Sequence, residues 1–287
     1  MSVRGVVLLF IAAAVAVHLG GSVPYVPDPF SLYLRKLIPP SGRPFRVTAC
    51  GAEMNARDAL DRGDHAAAVQ ELARLILLAP GAIEPRRALA SVYLSEQEFE
   101  PSLQQFRWLL ARATPYGDEV LFQLTWAHQG LGQTQEALKF SQELVERCPQ
   151  WSAAWVRRGL LLASDDPKAS REAFFQALSC PFPDPEGLLE IGNYFLEQGA
   201  PRDSLPFFER CLSFPLQGSF AANNLGNAHK SLKDSSRARH YYEMAIGLNS
   251  KNPNPHNGLG VIAEEEGQLE KALGLYRRAM AADPSYL

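Results

Sequence analysis

Gly258-Leu259-Gly260-Val261-Ile262-Ala263 spells G-x-G-x-x-A, the glycine spacing that lets a backbone close on a pyrophosphate at the start of a helix. That chemistry needs a strand directly before the glycines, and this sequence offers none there. His128, His229 and His240 are candidates for ligation or proton transfer, but each stands in a different predicted helix without an acidic or cysteine partner at ligand spacing. Glu264-Glu265-Glu266 reads as a solvated helix end rather than a metal site. The cysteines, Cys50, Cys148, Cys180 and Cys211, form no CxxC pair. GxxxxGK[ST], HExxH and GxSxG are all missing. The sequence therefore predicts no catalytic residue, no cofactor and no metal site.

The elements that carry these residues repeat. Phe174, Phe208, Tyr242 and Tyr276 stand 34 residues apart, as do Ala177, Cys211, Ala245 and Ala279. A third track, Ala68, Ser102, Ala137, Ser170, Ser204, Ala238 and Ala272, keeps spacings of 33 to 35. A constant period of this size means stacked copies of one small unit, an architecture that usually holds other molecules. In the last copy, Gly267 separates an apolar-periodic stretch beginning at His256 from a second one running from Leu269 to Ala279, so each unit is two short helices. Gly159, Gly192, Gly226 and Gly260 recur inside the first helices, where glycine costs roughly 1 kcal/mol against alanine. Their recurrence predicts close approach of the second helix at its small residue, such as Ala238 or Ala272, with the aromatic one turn later filling the gap to the next unit.

This layout resembles the tetratricopeptide repeat. The residues that carry the resemblance are clearest in Leu225-Gly226, Ala238, Tyr242 and Ala245, and in Leu259-Gly260, Gly267, Ala272, Tyr276, Ala279 and Pro284. Looser copies carry Ile191-Gly192, Gly199, Ser204 and Phe208. Others carry Trp155, Gly159, Phe174 and Ala177, with Arg158 in place of leucine and a turn one residue short. Leu124, Gly132, Ala137 and Pro149 mark a copy with Thr125 at the glycine position; Leu89, Tyr93, Phe99, Ser102 and Phe106, then Gly63, Ala68, Leu72 and Pro80, mark the first two. The resemblance implies an all-α fold, a right-handed superhelical solenoid of helix-turn-helix repeats. Its seven units fall at about 49–82, 83–117, 118–151, 152–184, 185–218, 219–252 and 253–287.

Residues 1–48 hold Arg4, Arg35, Lys36, Arg43 and Arg46 against Asp28 alone, a net +4, and the chain as a whole carries −3, which leaves −7 on the repeats. An acidic array is a poor polyanion binder, so nucleic acid is excluded as the main ligand. Cys211 occupies the small core position shared with Ala177 and Ala245. Cys148 and Cys180 precede prolines at equivalent points of adjacent units, where separations usually exceed the roughly 7 Å limit for a bridge.

Val6 to Val17 is an unbroken apolar run behind Met1-Ser2-Val3-Arg4, as in a secretory signal or a membrane anchor. Ala14-Val15-Ala16 offers an A-x-A cleavage site, while extension to Val23 gives about 27 Å of helix against a roughly 30 Å hydrocarbon core. Residues 1–23 fit either reading. Basic residues flank the run on both sides; the short basic head favours exported repeats, with membrane-anchored cytoplasmic repeats as the alternative. Residues 24–48 are expected to be a proline-rich basic linker, in which Ser31 to Ile38 forms two amphipathic turns on lipid or packs on the first repeat.

The resemblance further implies that the first helices line a concave groove that selects the ligand. Laid onto this sequence, the groove presents Phe122, Trp126, Val156, Leu160, Leu189 and Asn193, then Phe220, Asn223, Asn227, Lys230, Asn254 and Asn257. An apolar floor followed by an amide ladder suits an extended peptide, whose backbone both donates to and accepts from amides. Burying about 100 Å² on each of Phe122 and Trp126 contributes about 5 kcal/mol gross, which points to micromolar affinity after ordering costs. Asn227 and Lys230 lack a basic pair on the same face of the next unit, so the clamp by which some relatives hold chaperone carboxylates is disfavoured. The array ends at Leu287 without a polar capping helix, which predicts partial exposure of Leu275, Tyr276 and Ala279 and a candidate surface for self-association or docking. The expected function is a non-enzymatic scaffold or adaptor that binds a protein or peptide partner in a membrane-associated complex. The alternatives are a structural subunit that packs by its edges and open end, and an accessory domain to an enzyme on another chain.

Overall fold

The computed structural model describes residues 45–112 and 115–283. Helices α1 (Phe45–Arg62), α2 (His65–Leu78), α3 (Ile83–Ser95), α4 (Phe99–Leu110), α5 (Gly117–Gly130), α6 (Thr134–Arg147) and α7 (Ser152–Leu162) are followed by seven more. These are α8 (Pro167–Ser179), α9 (Pro185–Glu197), α10 (Pro201–Cys211), α11 (Gly218–Ser231), α12 (Ser235–Leu248), α13 (Pro253–Glu265) and α14 (Leu269–Ala282). No strand occurs among the described residues, and the fold is an all-α repeat. The apolar run and nearly all of the proline-rich segment lie outside them. Among the described helices, none is long and apolar enough to cross a membrane. Helix α1 begins at Phe45, inside the stretch assigned to the linker.

Most pairs are built by the same turn chemistry. After α1, α3, α5, α9, α11 and α13 one residue takes a left-handed conformation: Gly63, Gln97, Gly132, Gly199, Lys233 and Gly267, with φ between 62° and 74°. The next residue's N–H then reaches back to the helix, as in Gln133 N to His128 O at 2.9 Å and Gln268 N to Ala263 O at 2.8 Å. Gln97 and Lys233 hold this conformation with a Cβ, which costs about 1 kcal/mol each. The turn between α7 and α8 is a residue shorter and folds differently, with Asp165 and Asp166 N–H both bonded to Leu162 O. Asp64, Asp166 and Asp234 then cap α2, α8 and α12, each accepting an N–H at 3.0 Å.

The chain divides into two compact units, residues 1–144 and 145–287. In the first, α1 to α3 bury Ala52, Ala56, Leu72, Ile76, Leu89 and Val92. A second cluster holds Ala90, Leu103, Phe106, Leu109, Val120 and Leu124, with Phe140 packed against it. In the second unit the largest cluster joins Val156, Phe174, Leu188, Ile191, Phe195, Phe207, Phe208, Cys211 and Leu225. Cys180 and Cys211 are free thiols, so no bridge joins Cys180 to Cys148. Burial pushes the Cys211 thiol up to about 12, which makes it a core residue and a poor nucleophile.

The glycine expectation is met with a change of partner. A Cβ on Gly159, Gly192, Gly226 or Gly260 would stand 2.4 to 2.5 Å from the ring of Phe174, Phe208, Tyr242 or Tyr276 respectively. The glycine thus accommodates the aromatic of its own second helix. The small position is a close contact too, since the Ser170 hydroxyl donates to Gly159 O at 2.8 Å and that of Ser102 to Ala90 O at 2.9 Å. Tyr242 also meets the following repeat, where a Cβ on Gly258 would lie 2.4 Å from its ring. Both glycines of the G-x-G-x-x-A string are therefore occupied by packing. In residues 118–151 the size pair changes: Thr125 stands at the glycine position and Ser141 at the aromatic one, both buried. The bulk moves from the second helix to the first.

Candidate functional site

Within residues 145–283 the first helices α7, α9, α11 and α13 pack side by side, α7 on α9, α9 on α11 and α11 on α13. The glycines at 159, 192, 226 and 260 mark one level on each, so Leu160, Asn193 and Asn227 are equivalent, as are Val156, Leu189, Asn223 and Asn257. On α9 the residues Glu186, Glu190, Asn193 and Glu197 follow at steps of four, three and four and share one face. Together with Leu160, Leu189 and Tyr194 they line an open cavity of about 490 Å³. Tyr194 is held by ring contacts at 5.4 Å to Phe174 and 5.6 Å to Phe195.

The amide ladder closes on itself. Asn224 Nδ2 donates to Asn193 Oδ1 at 2.8 Å, Asn223 Nδ2 to Asn224 Oδ1 at 3.1 Å, and Tyr242 O–H to Asn227 Oδ1 at 2.8 Å. The hub is Asn224, which the sequence reading passed over. Asn223 is 7% exposed and Val156 is a member of the core cluster, so neither presents a side chain to solvent as expected. Both lean between helices because the contact face of α7 and α11 includes the row that the resemblance assigned to the groove. Leu160, Leu189, Asn227, Lys230 and Asn257 are half-buried, Asn193 and Asn254 are exposed, and Phe220 is 52% exposed. The cavity thus brings together Leu160, Leu189 and Asn193 from the expected set. It adds Glu186, Glu190, Tyr194 and Glu197, which sequence reading did not single out.

Phe122 and Trp126 belong to α5 of the first unit, where Phe122 is half-buried and Trp126 is 44% exposed. The same unit holds two buried arginines that sequence reading did not single out. Arg86 donates to Gln105 Oε1 at 2.9 Å and to Pro80 O at 3.3 and 3.4 Å, and lies 4.1 Å from the Trp108 ring centroid. Arg87 bonds Glu84 at 3.0 Å and Glu119 at 2.9 Å and covers Tyr116 at 4.4 Å.

At the C-terminus Ala279 is buried, against the partial exposure expected of it, while Leu275 and Tyr276 are half-buried; Ala272, Tyr276 and Ala279 repeat at helical spacing toward α13, with the Tyr276 ring on Gly260. The exposed apolar face of α14 is instead Leu269, 67% exposed, with Leu273 and Met280.

His128, His229 and His256 are packing groups, and His240 is exposed with its ring against Tyr241. His128 Nδ1–H donates to Gln133 Oε1 at 2.7 Å and its ring stacks on Phe140, and His229 stacks on Tyr241 at 5.3 Å. Burial of His229 and His256, each with an Nδ1 that has no partner among the described residues, holds both imidazoles below their ordinary value of 6.5. Nearby Arg237 and Arg278 act in the same direction, against Asp234 and Glu209 near His229. A depressed histidine binds fewer protons folded than unfolded, so stability is full above 6.5 and falls as pH drops toward the folded values. Thermal melting is expected to give a lower midpoint at about pH 5.5 than at about pH 7.5, and a His229→Phe variant should lose part of that difference.

Two family models, both described as tetratricopeptide repeat, match residues 223–286 and 119–150. No curated protein matches the chain. A tetratricopeptide repeat protein from Parabacteroides merdae is 16% identical with a TM-score of 0.52, over 83% of this chain and 94% of that one. The C-terminal part of a repeat-containing protein from Cytophaga hutchinsonii is 13% identical with a TM-score of 0.59, over 80% and 95%. The pilF protein of Pseudomonas aeruginosa is 18% identical with a TM-score of 0.52, over 72% and 94%. At these identities the likeness shows the shared fold.

Proposed function

Because this chain is a tetratricopeptide-repeat protein, we propose that it is a non-catalytic adaptor that holds a segment of a partner protein against the first-helix face of residues 145–283. Repeats of this family generally mediate protein–protein interaction. The observation that carries the reading is the open cavity of about 490 Å³ in which Leu160, Leu189 and Tyr194 stand with Glu186, Glu190, Asn193 and Glu197; Phe220 is exposed on the next first helix. Its volume falls in the range of binding clefts, and its mix of apolar walls and a few polar groups is what fixes an extended chain in register. Phe122 and Trp126 supply a second apolar contact within the first unit. The apolar run at Val6–Val17 supports a membrane-associated adaptor with exported repeats, whose work would be assembly of a membrane-associated complex.

Affinity purification from gently solubilised native membranes, read by quantitative mass spectrometry, tests this. Leu189→Ala/Phe220→Ala and Phe122→Ala/Trp126→Ala variants are compared with the wild type after circular dichroism confirms their helicity. At least one specific partner is expected to fall about tenfold or more in recovery, since each pair removes roughly 2 kcal/mol or more of apolar contact. Retention of every partner by both variants would move the interaction away from the first helices. The exposed Leu269, Leu273 and Met280 face favours one second reading, a structural subunit packed by its last helix, and a Leu273→Glu variant would then be the one to lose partners.

A further inference from the structure

Large apolar side chains stand out from the loops that join one repeat to the next in the second unit. Phe182, between α8 and α9, is 81% exposed, and Leu216, between α10 and α11, is 75% exposed. They are 34 residues apart and so occupy the same place in successive repeats. In the following repeat the equivalent residue is Ser250, and the apolar side chain is Leu248 at the end of α12, 56% exposed. A Cβ on Gly218, two residues beyond Leu216, would lie 3.6 Å from Leu248 Cδ1, so the end of α12 adjoins the Leu216 loop. Half-buried Trp151, in the loop before, pairs with Phe182 through an isolated parallel bridge. Exposed apolar residues scattered singly need no explanation, but a row of them along one edge marks a contact surface.

The loops hold these tips in place. Trp155 Nε1–H donates to Pro149 O at 2.8 Å, Gly218 N–H to Phe214 O at 2.8 Å, and Asn252 N–H to Asn249 O at 3.1 Å. Pro181 and Pro183 flank Phe182, and Pro215 precedes Leu216, which stiffens the backbone at both tips. Ordering on contact costs little as a result.

Charge separates this edge from the opposite one. Each first helix starts at a loop between repeats and ends at a turn inside its own repeat, so the two sets of connections stand at opposite ends of the helices. The turns inside the repeats carry Asp165, Asp166, Asp234 and Glu266 against Lys233. Loops 148–151, 180–183, 212–217 and 249–252 carry one charged residue, Lys251. The acids that follow Phe182, Asp184 and Glu186, belong to the start of α9, and Asp184 is half-buried. An apolar edge with a lysine suits anionic headgroups, which repel the acidic edge. A lipid interface also accepts a row of protruding side chains without matching their shape, whereas a protein partner has to supply a pocket for each.

We infer that the edge of Phe182, Leu216 and Leu248 docks on the interfacial layer of a lipid bilayer, with these side chains among the headgroups and the turns inside the repeats facing water. The inference goes beyond the adaptor reading and is independent of what the first-helix face holds.

The test mixes the full chain with vesicles of phosphatidylethanolamine and phosphatidylglycerol and reads the depth of single labels. An NBD fluorophore is attached at Leu216→Cys, or at Lys233→Cys on the opposite edge, in a Cys50→Ser/Cys148→Ser background; Cys180 and Cys211 are buried. Lipid carrying a nitroxide near its headgroup quenches a label from the membrane, and iodide quenches it from water. The Leu216 label is expected to be quenched by the nitroxide lipid and shielded from iodide, and the Lys233 label the reverse. Adding Phe182→Ser/Leu248→Ser, at two exposed positions whose loss circular dichroism should show to leave helicity unchanged, is expected to lower the partition of the Leu216 label into lipid about tenfold. Equal response of the two labels to both quenchers would overturn the inference, since the apolar run would then hold the chain at the membrane without orienting the repeats. Nitroxide quenching that the serine substitutions leave unchanged would overturn it too, because the row would not be what inserts. Shielding of the Leu216 label from iodide without nitroxide quenching, growing with protein concentration, would assign the edge to a second copy of the chain and overturn it as well.

Discussion

Tyr242→Ala is expected to destabilise the C-terminal repeats by about 4 kcal/mol, the largest effect of any single truncation in residues 145–283. The ring is fully buried and wedged between two first helices, with Gly226 of its own repeat on one side and Gly258 of the next on the other. Its removal leaves a cavity that neither helix can close alone, because each is already in contact through its neighbours. Tyr242→Phe keeps the wedge and loses only the hydrogen bond to Asn227, at a cost of about 1 kcal/mol. Gly258→Ala adds an atom where none fits and should cost about 2 kcal/mol by overpacking. Urea denaturation gives the magnitudes, and amide hydrogen exchange gives the place: protection should fall in α11 to α14 and stay unchanged in α1 to α4, as nearest-neighbour coupling in a repeat array requires. A Tyr242→Ala cost below about 1 kcal/mol would show that the wedge is not a stability element.

Arg86→Ala is expected to cost about 3 kcal/mol in the first unit. Arginine at this buried site satisfies the Pro80 carbonyl and the equally buried Gln105 side chain, and its planar group covers Trp108. Alanine strands both acceptors and opens a void beneath the indole. Arg86→Met restores the volume and leaves the acceptors unpaired, so it should recover only about 1 kcal/mol of the loss. Arg86→Lys should recover little more, because an ammonium cannot span two acceptors and stack at once. Chemical denaturation followed through tryptophan fluorescence reads all three. Near-wild-type stability of Arg86→Met would mean that hydrophobic burial alone holds this site.

The two residues differ in how far the sequence announces them. Tyr242 stands on the 34-residue track with Gly226, and the need for a packing reason behind the glycine follows from its cost in a helix. The identity of the contact did not follow, since spacing cannot say whether the small residue or the aromatic sits over the glycine, and the structure shows that both approach it. Arg86 has no such track. A lone arginine in a first helix reads as solvated, and only the arrival of Gln105 and Trp108 from the second helix makes burial tolerable. The expected partial exposure of Ala279 failed for a related reason: the period identifies equivalent residues, and the equivalent of buried Ala245 stays buried against its own first helix.

What the sequence by itself determined is the repeating unit: two helices, a tight turn, and a glycine matched to an aromatic. Each repeat makes the same short-range contacts and must therefore restate the same residues every 34 positions. The tertiary structure decided which side chains of the first helices meet solvent and which are consumed by neighbours. It withdrew Val156 and Asn223 into the packing, tied Asn193, Asn224, Asn223 and Asn227 to one another, and gathered Glu186, Glu190 and Glu197 beside Leu160 and Leu189. The physical reason is that a binding surface is built from positions the packing does not constrain. Those positions carry no period, and their convergence exists only once the rotation of each helix against the next is set.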